Sequence, residues 1–217
     1  MGYLSGIMLD VLRFFYAIGG HNYGLAIIWL TIAVNLALYP LTLSSVKQMS
    51  AMQKIQPRMK VLQDKHKADP QALQKEMMDL YKSEGVNPVG GCLPVLLKIP
   101  FFLALFFSLQ SKEFLAMIAE PGAGAAFLWV QNIAKPEFLM LLGMQIPVFA
   151  FLIGVTTYLM QKTMPAAGGG QMQMMTTIMP LFIAFISIRF PAGVQIYWLV
   201  SNLMGAVQQH YIMKNNG

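Results

Sequence analysis

Lys98 is the only charged residue between Cys92 and Leu109, in a run that is otherwise almost wholly apolar. The chain around it is 56% hydrophobic and only 11% charged, where soluble domains carry about 25% charged residues. This is the composition of a polytopic membrane protein. A lysine inside a span costs about 2.5–3.5 kcal/mol near the bilayer centre and less toward its ends. Something has to offset that cost. Thr31 and Asn35 lie four apart in another apolar run, hence on one helix face. Gln195, Ser201 and Asn202 decorate a third. Counting about 1.5 Å per residue puts Asn35 about 13 Å and Lys98 about 10 Å from the same end of their runs. One reading is a polar cavity lined by Thr31, Asn35, Gln195, Ser201 and Asn202, with Lys98 as its positive charge. The other is that Lys98 snorkels along its stem to nearby headgroups.

Catalytic chemistry is poorly supplied. An intramembrane protease needs a Ser or Cys nucleophile with a His at matching depth, or paired aspartates. His21, His66 and His210 fall at a turn, in a polar segment and at the end of a span, and no Asp lies in a span. No Gly-Lys-Ser/Thr phosphate loop is present. With one cysteine, Cys92, neither an intrachain disulfide nor a Cys-based metal site can form. The expectation is a protein that is not an enzyme, with no cofactor, no metal and no small-molecule substrate.

The elements that must position these residues follow from hydropathy. Residues 4–18 place Leu4, Ile7, Met8, Val11, Leu12 and Phe15 at helical spacing with Asp10 and Arg13 off that face. They are read as an amphipathic helix lying in the interface; a signal peptide is the weaker alternative, because a basic n-region is missing. Spans are expected over 23–43, 93–110, 138–161, 172–188 and 194–211, the third broken by Gln145 and Pro147, with an outside segment over 111–137. Pro40 should kink or end the first span. Phe127-Leu-Trp-Val130 is a candidate for dipping into the outer interface. The stretch 87–105 turns at Asn-Pro and Gly-Gly before entering the second span, and 162–170 makes a short inside loop.

Residues 44–86 are different material. They hold eight Lys/Arg and five acids, with apolar stripes at Met49, Met52, Ile55, Met59 and Leu62 and at Leu73, Met77, Leu80 and Tyr81. Lys67-Ala-Asp-Pro70 marks the turn between two antiparallel helices standing in water. The stripes, with Met78, either capture an apolar partner segment or pack the two helices on each other. The basic face touches anionic headgroups or ribosomal RNA, or is merely solvated. Ten Lys/Arg fall on the side of this hairpin and four on the other. The positive-inside rule therefore makes the hairpin and the C-terminus cytoplasmic and the N-terminus external.

Several short motifs are recognisable together. They are Tyr39-Pro-Leu-Thr42, Gln74-Lys-Glu-Met-Met78 with Leu80-Tyr-Lys82, Asn87-Pro-Val-Gly-Gly-Cys-Leu-Pro94, Ile99-Pro-Phe-Phe-Leu-Ala-Leu105, Met179-Pro180, Phe190-Pro-Ala-Gly193, and Tyr197-Trp-Leu-Val-Ser-Asn-Leu203 with Gln208-Gln209. In this order, over about residues 20–212, the chain resembles the YidC membrane-protein insertases and their mitochondrial Oxa and chloroplast Alb relatives. The resemblance implies an all-α fold: five transmembrane helices around a hydrophilic groove open to the cytosol, plus the cytoplasmic helical hairpin. It implies a bacterial plasma (inner) membrane location. It also implies chaperone-like insertion of nascent membrane proteins into lipid, with the Sec translocon and the ribosome as candidate partners. Clients would leave along the first and fifth spans, at positions matching Thr31, Tyr197 and Trp198. The family's groove arginine corresponds to Asn35 here, and a span-two position that is usually glutamine is Lys98; the positive charge is expected to have crossed from one helix to the other. The sequence holds neither the large outside domain of Gram-negative members nor a basic C-terminal extension, so ribosome docking through such a tail is not expected. A small-molecule transporter or channel is the alternative, since broken helices with a buried charge also suit that class.

Overall fold

The computed structural model describes residues 2–216 apart from Ala68, 88–89, 91–92, Pro121 and 164–168. Much of the 87–92 turn, the Ala68 position of the hairpin turn and the centre of the 162–170 loop therefore lie outside the described residues. Helices dominate: α1 (Gly2–Ile18), α2 (Tyr23–Ala37), α3 (Tyr39–Lys65), α4 (Pro70–Ser83), α5 (Leu93–Leu109), α6 (Lys112–Ala119), α7 (Val148–Thr163), α8 (Gly169–Ser187) and α9 (Ala192–Asn216). A two-stranded antiparallel sheet, β1 (Leu139–Leu141) and β2 (Met144–Ile146), interrupts them.

α9 is the axis of the bundle; α2, α3, α5 and α7 all pack on it, and α8 packs on α7. The core fills with Ile27 and Leu30 of α2, Leu105 and Leu109 of α5, and Val194 and Ile196 of α9. Small residues set how closely these elements approach. A Cβ at Gly193 would lie 2.7 Å from Leu109 Cδ1 and 2.8 Å from Ile27 Cδ1, so any larger residue would make those two side-chain ends of α5 and α2 shift where they meet α9. A Cβ at Gly24 would lie 2.3 Å from Phe127 Cγ, which seats the segment after α6 directly on the start of α2. That segment also caps α9, where Ala192 N donates to Lys135 O and Gly193 N to Ile133 O, each at 2.8 Å. α1 lies across the same end of the bundle at 112° to α2. Met8, Leu9 and Leu12 bury its inner face. Arg13 pairs with Glu113 at 2.5 Å, and the carboxylate raises the guanidinium above its ordinary pKa.

The helix expected as the first span ends earlier than its apolar run. α2 stops at Ala37, Leu38 sits at φ −85° and ψ 1°, and Pro40 occupies the first turn of α3. Proline lacks the amide that would continue the α2 ladder but is well suited to open a helix. The boundary expected at 43–44 therefore falls near Leu38, and Thr42, Ser45 and Val46 are buried at the start of α3. The span expected over 138–161 is helical only from Val148. Leu142-Gly143 makes a reverse turn between β1 and β2, and Pro147 precedes the helix, so an all-helical reading of this stretch does not hold. Among the described residues no single helix is long and apolar enough to cross a membrane. Two bent pairs pass together, Leu4–Ile18 with Tyr23–Ala37 at 112° and Leu96–Leu109 with Lys112–Ala119 at 57°.

At the other end α3 and α4 form an antiparallel hairpin. Asp69 caps α4, accepting from Gln71 N at 3.1 Å and Ala72 N at 3.0 Å. Ile55, Met59 and Val86 form a small core, with Met52, Met77, Leu80 and Tyr81 packed on it. Burial pushes the Tyr81 phenol above its ordinary pKa.

Candidate functional site

The Lys98 ammonium donates to Asn35 Oδ1 at 2.8 Å. Asn35 Nδ2 donates in turn to Thr31 O at 2.8 Å and to Ser201 Oγ at 3.4 Å. Gln208 Nε2 donates to the backbone Asn35 O at 3.2 Å. One polar chain thus links α5, α2 and α9 in the half of the bundle nearer the α3–α4 hairpin. Asn35 is only 1% exposed, whereas Lys98 is half-buried among exposed Leu97 and Ile99. The cluster therefore reaches the surface at the ammonium. The ion pairs among the described residues do not include Lys98. A half-buried cation held by a neutral amide keeps its charge available to an incoming carboxylate.

Three of the five polar lining candidates, Thr31, Asn35 and Ser201, gather here; two do not. Gln195 Nε2 donates to Ser187 O at 2.6 Å and Phe190 O at 3.2 Å, tying off the C-terminal end of α8. Asn202 Nδ2 donates to Thr156 Oγ1 at 3.1 Å and Thr157 Oγ1 at 3.0 Å, which joins α9 to α7. Helix geometry explains the split. At about 100° per residue, Asn202 faces about 100° away from Ser201, whereas Gln208, seven residues on, returns to within about 20° of it. That heptad spacing is the signal by which Gln208, absent from the expected set, could have been found.

The expected exit positions are mostly enclosed. Thr31 and Tyr197 are buried, the Thr31 hydroxyl donating to Ile27 O at 2.6 Å. Trp198 is half-buried, with its ring 5.3 Å from Phe102 and 6.3 Å from Phe190. The apolar side chains that α2 and α9 turn outward are Leu25, Trp29 and Leu36, and Leu203 and Val207. In the hairpin, Met59 is buried and Met52 and Met77 pack against it, Met49 is half-buried, and Met78 is 46% exposed. Packing of the two helices on each other thus occupies most of the methionine stripe.

Glu137 is a buried carboxylate that sequence reasoning passed over. It accepts from Trp129 Nε1 and, at 3.0 Å, from Phe149 N, so it caps the start of α7 where Pro147 leaves no local cap. No group of three or more His, Cys, Asp or Glu able to hold a metal occurs among the described residues.

The family model described as 60Kd inner membrane protein matches residues 14–217. A membrane protein insertase YidC of Geobacter metallireducens is 38% identical over 212 residues, covering 98% of this chain and 37% of that protein. One of the same name from Syntrophobacter fumaroxidans is 36% identical over 219 residues, covering 98% of this chain and 38% of that protein. The chain thus spans less than two-fifths of the length of these relatives. A crystal structure described as an active YidC insertase with its first transmembrane domain resolved superposes with a TM-score of 0.71 at 24% identity, over 95% of this chain and 45% of that one. At that identity it speaks for a shared fold.

Proposed function

Since the chain belongs to the YidC membrane-protein insertase family, we propose that it receives a client's transmembrane segment from the cytosol, holds acidic residues of the client's tail at Lys98, and releases the segment into lipid beside α2 and α9. In this reading α2, α5, α7, α8 and α9 span a bacterial inner membrane. The α3–α4 hairpin and the C-terminus are cytosolic, and α1 with residues 111–137 lies at the outer face. The ten-to-four distribution of Lys and Arg supports that orientation.

The observation that carries the proposal is the Lys98–Asn35 contact. It sets an ammonium that pairs with no carboxylate among the described residues against neutral amide and hydroxyl groups between three apolar helices. A client carboxylate about 4 Å away would gain about 4 kcal/mol at an effective dielectric of about 20. Bilayer hydrocarbon is about 30 Å thick, so a polar site partway in shortens the dry path of the tail. With the outside positive, each negative charge gains about 2.3 kcal/mol per 100 mV on crossing. Partition of the apolar segment into lipid then drives release. The outward Leu25, Trp29 and Leu36 of α2 and Leu203 and Val207 of α9 offer it an apolar path. Exposed Met78 is the hairpin methionine best placed to touch a client first. Nascent membrane proteins as clients, and the Sec translocon and ribosome as partners, follow from the family premise alone.

The test is insertion of a single-span client with an acidic tail into liposomes, scored by protease protection. Wild type should insert it. If only a quarter of the Coulomb gain, about 1 kcal/mol, is realised, Lys98→Gln should slow insertion roughly 5-fold. Equal rates for the two would remove Lys98 from the mechanism.

A further inference from the structure

The stretch between α6 and α7 makes two tight turns, and each sets a leucine in left-handed backbone. In the first, Phe127 N donates to Val130 O at 2.8 Å and Val130 N to Phe127 O at 2.9 Å, with Leu128 at φ 53°. In the second, Leu141 and Met144 pair across Leu142 and Gly143, at φ 52° and 78°. Two positive-φ residues suit a two-residue hairpin turn, which ordinarily uses Asn or Gly. A leucine there is an outlier, and among the described residues His21 is the only other non-glycine with positive φ. Neither leucine is repaid by packing: Leu128 is 69% exposed and Leu142 91%. Strain that holds a large apolar side chain outward points to use of that side chain.

The second turn is apolar well beyond its tip. Met140, Leu141 and Met144 are also exposed, and no charge occurs from Phe138 to Gln161. The hairpin runs straight into α7, whose Phe151, Val155 and Leu159 face outward. An isolated two-stranded hairpin is marginal in water, so this one needs an apolar surface. Its two outer edges carry backbone groups outside the ladder, and hydrocarbon would leave those groups unpaired at high cost. The boundary between headgroups and acyl chains meets both demands, with water still at the edges and hydrocarbon at the tip.

We propose that the β1–β2 hairpin dips Leu142 and its neighbours Leu141 and Met144 into the acyl boundary of the leaflet at the α7 N-terminal end, as a shallow lipid anchor. Glu137 holds the hairpin's base and, through Trp129, the Leu128 turn on one support. This proposal rests on the reading of α7 as a membrane span.

The test uses the whole chain with its single cysteine replaced, Cys92→Ser, and one environment-sensitive fluorophore placed by Leu142→Cys, Met144→Cys or Val155→Cys, in liposomes. Met144→Cys leaves the turn residues intact should Leu142→Cys fold poorly. Labels at 142 and 144 should be shielded from aqueous iodide. They should lose more fluorescence to lipid brominated near the headgroup end of its chains than to lipid brominated near the chain ends. The label at 155 should respond more to the deeper bromines. Iodide access at 142 and 144 with bromine quenching at 155 would overturn the anchor and leave the span. Shielding without bromine quenching at 142 and 144 would overturn it in favour of a protein neighbour, such as a second copy. No bromine quenching at any of the three would remove both the anchor and the span it rests on.

Discussion

Asn35 accepts the Lys98 ammonium through Oδ1 and spends its Nδ2 protons on Thr31 O and Ser201 Oγ. Leucine at this position would strand the half-buried ammonium. Leaving a buried polar group unpaired costs about 1–3 kcal/mol. Asn35→Leu should therefore lower the unfolding temperature in detergent. Adding Lys98→Met should recover part of the loss, because removing both partners is far less costly than removing one. Strictly additive losses would mean that the two side chains do not depend on each other. The meeting of Asn35 and Lys98 was legible in the sequence because helical rise is fixed, so counting residues from the run ends places both at one depth. The grouping of Gln195 and Asn202 with them was not, because depth ignores azimuth. Asn202 shares the depth of Ser201 but faces α7.

The hairpin is the element whose pattern was clearest. Its stripes recur at helical spacing in a polar background, and the structure packs Met52, Ile55, Met59, Met77, Leu80 and Tyr81 from them together with Val86. Met59→Ala should open a cavity costing about 2–5 kcal/mol. Hydrogen exchange should show this as lost amide protection in α3 and α4 while α2 and α9 stay protected. Met78→Ser, at a position that is 46% exposed, should leave protection unchanged. Loss across α9 after Met59→Ala would mean that hairpin and bundle unfold as one unit. The stretch expected as the third span was the least legible. From Phe138 onward nearly every residue is apolar, so hydropathy sees one run and no period separates strand from helix. Pro147 was legible as a break, and the helix starts just after it; Leu142-Gly143 was the turn signal, masked by its surroundings. The Leu38 break was half legible: Pro40 marked an end to the first helix, and the structure uses it to begin the next.

At the scale of the molecule, two ends of one bundle differ in kind. One end is closed by α1 and the 111–137 segment, seated on α2 through Gly24 and on α9 through Lys135 and Ile133. The other carries the basic hairpin, and the Lys98 cluster lies in that half, with Asn35 tied to Ser201 and Gln208 of α9. If insertion needs one positive charge in this half, that charge can sit on α5 or on α2. The most direct measurement compares liposome insertion of the acidic-tail client by wild type, Lys98→Gln, and Lys98→Gln combined with Asn35→Arg, each shown to unfold at a similar temperature. Insertion should be lost in the single variant and recovered in the combined one, with a client lacking the acidic residues indifferent to all three. Insertion unchanged in Lys98→Gln, or still lost after Asn35→Arg restores the charge, would contradict this reading.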